Sequence, residues 1–83
     1  MKKYKDVWNL SGFNKTTENL EQDIYIENIS DEYVEKIMKF QYSGGGYDVS
    51  LEQLKEFSKY IPDIDINFDL DWQVEKTRLI ISQ

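Results

Sequence analysis

The 83 residues carry a net charge of −6, with 40% hydrophobic and 14% aromatic side chains, which sets the scale of one small domain spanning 1–83 with enough apolar material for a core. The chain has no cysteine and no histidine. That excludes disulfide staples, thiolate metal sites and thiol nucleophiles, and removes the commonest general base and metal ligand.

Residues 4–13 and 20–27 read as two strands, with the polar stretch Asn14–Asn19 as a hairpin loop between them. Trp8 and Leu10 are the inward pair of the first. In the second, Ile24 and Ile26 share one face and Asp23, Tyr25 and Glu27 the other. Gly12 marks a bulge.

Ser30 suits a helix N-cap, with Asp31 and Glu32 at the positive end of the helix. Val34, Ile37, Met38 and Gln41 form its stripe, and Ser43-Gly44-Gly45-Gly46 is the expected stop. A second helix starts after Ser50, where Gln53 completes a capping-box pattern. Leu51, Leu54, Phe57 and Ile61 form its apolar face, and Pro62 ends it.

From Asp63 to Gln73 the chain alternates. Ile64, Ile66, Phe68, Leu70 and Trp72 take one parity; Asp63, Asp65, Asn67, Asp69, Asp71 and Gln73 take the other. Such alternation predicts a half-buried strand. A last strand, Thr77–Ser82, is expected to return beside it through a tight turn near Glu75-Lys76, with a reversal near Asp69–Asp71 as the competing place. The predicted order is β-β-α-α-β-β. The fold class is α+β, a two-layer domain whose antiparallel four-stranded sheet carries both helices on one face.

The row of aspartates has two readings. One is a solvated sheet face that also discourages edge pairing. The other is a docking surface, since carboxylates at alternate strand positions repeat at ~6.7 Å, of the same order as successive nucleic-acid phosphates. The segment D-I-D-I-N-F-D also superficially resembles a calcium loop. Phe68 stands where that loop needs glycine, however, and Val74 where it needs glutamate. The triple glycine lacks the flanks of a phosphate-binding loop. Paired carboxylates abound, but a catalytic pair needs an apolar pocket that raises one pKa, and alternation predicts a wet face. The expectation is therefore no enzyme, no cofactor and no metal.

Charge is uneven. Lys2, Lys3 and Lys5 crowd one end, which reads as a solvated terminus. Residues 16–35 and 60–75 hold acids and no Lys or Arg. These fields repel nucleic acid and anionic membranes and attract basic proteins. No apolar run approaches a membrane span and the first residues lack a signal-peptide core, so a cytoplasmic, soluble protein is expected.

The acidic runs Glu18–Glu35 and Asp63–Glu75, set on a small α+β pattern without catalytic apparatus, give the chain a class-level character. In that character it resembles the immunity proteins of bacterial toxin systems, including contact-dependent growth inhibition and nuclease toxins. The resemblance implies an antitoxin that forms a tight heterodimer with a basic toxin domain, a nuclease, and occludes its substrate groove. Asp63, Asp65, Asp69 and Asp71, extended by Asp23 and Glu27, would supply the charge. Tyr25, Tyr42 and Tyr47 are the candidate aromatic anchors, although Tyr42 and Tyr47 equally suit cover at the core edge. Two alternatives share the chemistry: a phage-type anti-defence inhibitor that mimics DNA, and a structural module that self-associates through its open sheet.

Overall fold

The computed structural model describes residues 2–82, so the outermost residues of the expected 1–83 span lie outside the described ones. Six elements follow in order. They are β1 (Lys3–Phe13), β2 (Leu20–Ile26), α1 (Asp31–Met38), β3 (Tyr47–Val49), α2 (Leu51–Ser58) and β4 (Asp71–Ser82). The strands form one antiparallel sheet in the order β2-β1-β4-β3. The α+β class and the four-stranded antiparallel sheet agree with the sequence reading; the element order agrees only roughly, since β3 falls between the helices and the single strand β4 stands where two were expected.

Strand alternation divides the sheet cleanly. Trp8, Leu10, Ile24, Ile26, Trp72 and Val74 lie on the helix side and pack with Val34, Met38, Leu54 and Phe57 into one core. Ile61, Ile66 and Leu70 close it from the segment between α2 and β4. Burial of these side chains drives the collapse, each contributing roughly 1.5–3 kcal/mol.

Both helices begin as their caps require. The Ser30 hydroxyl accepts from Tyr33 N–H, and Ser50 and Gln53 form a reciprocal capping box. Helix α1 ends earlier than its glycine stop suggested. Lys39 takes a left-handed conformation at φ 58°, and the chain leaves the helix there. The glycines then join this exit to β3, with Gly44 and Gly45 at positive φ.

The Asp-rich segment is not a strand. Residues 61–70 form a succession of turns, and β4 begins only at Asp71. Turn chemistry prevails over alternation. The Asn67 side-chain carbonyl accepts from Asp69 N–H, and Leu70 N–H bonds back to Asn67 O. Gln22 pins the segment to β2 by donating to Asp65 O and accepting from Asn67 N–H. Ile66 and Leu70 reach the core, whereas Ile64 and Phe68 stay about 40% exposed.

Nor is there a turn at Glu75-Lys76. β4 is a single strand of 12 residues that pairs along β1, with one register shift at Lys3/Tyr4, far from Glu75-Lys76. Lys76 keeps the helix-side parity because its stem is sheltered and its ammonium is placed. It lies 5.7 Å from the Trp8 ring centroid and 2.8 Å from Asp31 Oδ2.

Gly12 is required by close approach. A Cβ there would fall 2.8 Å from Trp72 Cζ2 and 2.9 Å from Leu70 Cδ1. The indole of Trp72 fills the space instead.

Asp31 ties α1 to the sheet. One carboxylate oxygen accepts from the buried Trp8 Nε1–H at 2.9 Å, and the other meets Lys76. The Lys76 hydrogen bond, then the Trp8 hydrogen bond, hold its carboxyl below the ordinary value of 3.8. A folded-state pKa below the unfolded one contributes stability above that ordinary value and loses it as the pH falls through the folded pKa. Asp31→Ala is therefore expected to cost about 1–2 kcal/mol at neutral pH in urea unfolding. That is the lower part of the penalty for an orphaned donor, because water reaches this site. Asp31→Asn retains an acceptor for Trp8, and stability below pH 3.8 should fall less steeply in this variant than in the parent.

Candidate functional site

The face of the sheet away from the helices is bare of any covering helix, although Val7 and Asn9 in its middle are buried among their neighbours at 3% and 4% exposed. Along β1 it presents Lys5, Val7, Asn9 and Ser11; along β2, Asp23 and Tyr25, with Glu27 just beyond; along β4, Asp71, Gln73, Glu75 and Thr77; along β3, Asp48. The central strand is neutral except at Lys5, and its flanks are acidic. Carboxylates on β2 and β4 stand across β1 at about 10 Å, twice the inter-strand spacing. Like charges at that distance repel by roughly 0.4 kcal/mol in water and more when shielded from it. Lys5 partly offsets this at one corner, 3.4 Å from Glu27 Oε1. Glu75, Asp71 and Asp48 have no ion-pair partner among the described residues.

A polar network sets the middle of this face. Asn9 is 4% exposed. Its amide donates to Asp23 Oδ1 and to Ile24 O. The Ser11 hydroxyl lies 3.1 Å from Asn9 Oδ1 and 3.2 Å from Asp23 Oδ1, and its single proton serves one of them at a time. These bonds fix the Asp23 side chain. Beside it Tyr25 is 43% exposed, and its hydroxyl has no hydrogen-bond partner among the described residues.

The structure thus gathers four of the sequence-derived residues on one face: Asp23, Tyr25, Glu27 and Asp71. It separates the others. Asp63, Asp65 and Asp69 are exposed on the turn segment, so a strip of four aspartates at regular strand spacing is not formed. The phosphate-like repeat drawn from that spacing goes with it.

Tyr42 and Tyr47 belong to the opposite layer. Both are half-buried against Phe40, with ring centroids at 5.8 and 4.6 Å, and Tyr42 packs edge-on against Trp8 at 4.9 Å. The Tyr42 hydroxyl accepts from Lys76 N–H and donates to Gly45 O. Tyr47 Oη lies 2.9 Å from Ser43 Oγ. Their work is to hold the glycine connection onto the core, which is the second of the two roles their positions allowed.

Two members of the face escaped the sequence reading. Glu75 was assigned to a turn, although it continues the parity of Asp71 and Gln73. Asp48 lies in β3, whose three residues give too short a pattern to recognise.

No group of three or more Asp or Glu among the described residues is arranged to hold a metal ion. None of the described helices is long and apolar enough to cross a membrane. A helix-free sheet face with Asp23 held in place, further exposed carboxylates and exposed Tyr25 gives this α+β domain an acidic, open surface. The chain belongs to the family described as a domain of unknown function, DUF7683, whose pattern it matches over residues 7–75. No curated protein matches it.

Proposed function

We propose that the chain is a non-enzymatic binding module that neutralises a cationic protein domain. In this reading it acts as a cytoplasmic immunity protein whose toxin partner, a nuclease, carries a basic substrate groove. The bare sheet face, with Asp23, Glu27, Asp71, Glu75 and Asp48 around exposed Tyr25, is the observation that carries this. Complementary charge accelerates encounter, and an exposed tyrosine supplies contact area at low entropic cost. The exposed Asp63, Asp65 and Asp69 add long-range attraction outside the contact itself.

The test uses the cationic domain encoded by the neighbouring reading frame. Affinity should fall steeply with salt. The combined variant Tyr25→Ala, Glu27→Gln, Glu75→Gln should weaken binding at least tenfold, about 1.4 kcal/mol or more, and flatten the salt dependence. Unchanged affinity and salt slope in that variant, or a neighbouring frame whose product does not bind, overturns the proposal.

A further inference from the structure

At the end of the sheet where β3 meets the start of β4, a cleft of about 550 Å³ opens beside the bare face. Its lining is mixed, polar and apolar in equal measure, and the apolar part includes four half-buried or exposed side chains. Phe13 and Val49 contribute from the sheet, Leu51 from the first turn of α2, and Phe68 from the turn segment. Leu51 and Phe68 are 52% and 41% exposed, which is a large apolar surface for a chain this acidic. The rim is charged. Glu18, Asp48 and Asp71 stand around it against one cation, Lys15. No side chain of these four makes an ion pair or hydrogen bond among the described residues. β3 is also an edge strand, with β4 on one side only.

An apolar floor beneath unpaired carboxylates selects a particular chemistry. A neutral apolar group would leave the rim unsatisfied, and an anionic one would be repelled. A lone cation would leave the floor wet. We infer that the cleft takes an extended basic segment of a protein partner, with one large apolar side chain seated on Leu51 and Phe68 and flanking arginines meeting Asp48, Asp71 and Glu18. This rests on the reading of the chain as a binder of a cationic protein. It adds a second short-range anchor to the one that Tyr25 gives the open face.

The intact chain, labelled with ¹⁵N, should be titrated with acetyl-Arg-Leu-Arg-amide and followed by amide shifts. Saturable shifts are expected at Leu51, Phe68 and Asp71. Acetyl-Glu-Leu-Glu-amide and acetyl-Arg-Gly-Arg-amide should bind at least roughly tenfold more weakly. Leu51→Ser and Phe68→Ser, both at exposed positions, should weaken the first peptide similarly while the spectrum stays folded. The inference is overturned if no shift saturates, if the glycine peptide binds equally well, or if the serine variants bind as the parent does. It is also overturned if shifts cluster instead at Tyr25 and Glu75, or if the cleft residues shift with protein concentration alone, which would make a second copy the occupant. These outcomes are separable from failure of the open-face proposal, because the cleft variants leave Tyr25, Glu27 and Glu75 untouched.

Discussion

Replacing Trp72 with alanine is expected to cost about 3–5 kcal/mol, as for other buried aromatics truncated in a core. Trp72 is 3% exposed, covers Gly12, and donates its Nε1–H to Asn67 O at 2.9 Å. The alanine variant therefore loses core volume, uncovers a glycine near the end of β1, and releases the turn segment from β4. A domain of this size has stability near the low end of roughly 5–15 kcal/mol, so the variant should be largely unfolded under mild conditions. Trp8, the one tryptophan left, reports the transition in urea. Trp72→Phe keeps most of the volume and loses the hydrogen bond, and it should recover more than half of the loss. A cost below about 1 kcal/mol for the alanine variant would contradict this account of the core.

Phe57→Ala carries an expected cost of the same order, about 3–5 kcal/mol. Phe57 is fully buried on α2, one turn from Leu54. An isolated helix of eight residues is unstable in water, because nucleation is costly and few bonds repay it. The capping box at Ser50 directs where α2 starts, but docking through Leu54 and Phe57 is what keeps it helical. Where the variant remains folded, hydrogen exchange in α2 should accelerate before exchange in β1 and β4 does. Phe57→Leu, close in volume, should cost less than about 1.5 kcal/mol. Equal exchange in all elements of the alanine variant would mean that α2 does not open separately.

Much of this fold was legible because local chemistry and burial agree. Asp23 through Ile26 alternate as a strand should, and Ser30 and Ser50 cap the helices their sequence announces. The segment from Asp63 to Gln73 shows where agreement ends. Its apolar residues sit at even positions for two different reasons: Trp72 because it lies in a strand, Ile66 and Leu70 because turns dip twice into the core. Asn67 and Asp69, read as the wet face of a strand, serve as turn residues. At Glu75-Lys76 the error ran the other way. The expected reversal had no Gly or Asn to specify it, and Lys76 continues the inward parity because Trp8 and Asp31 accommodate it. The site follows the same division. Asp23 and Tyr25 lie on a strand read correctly and Glu27 directly follows it, whereas Asp48 and Glu75 lie on elements whose extent depends on pairing with distant chain.

The contact between Gly12 and Trp72 has a consequence for how the two longest strands find each other. Sliding β4 by two positions along β1 would preserve inward and outward parity, so hydrophobic patterning alone tolerates the mistake. Either shift would bring Leu10 or Asn14 opposite the indole, and neither leaves the gap it fills. A missing side chain thus works as an index mark that selects one alignment from several of equal polarity. β3, and the turns that precede β4, inherit their places from it.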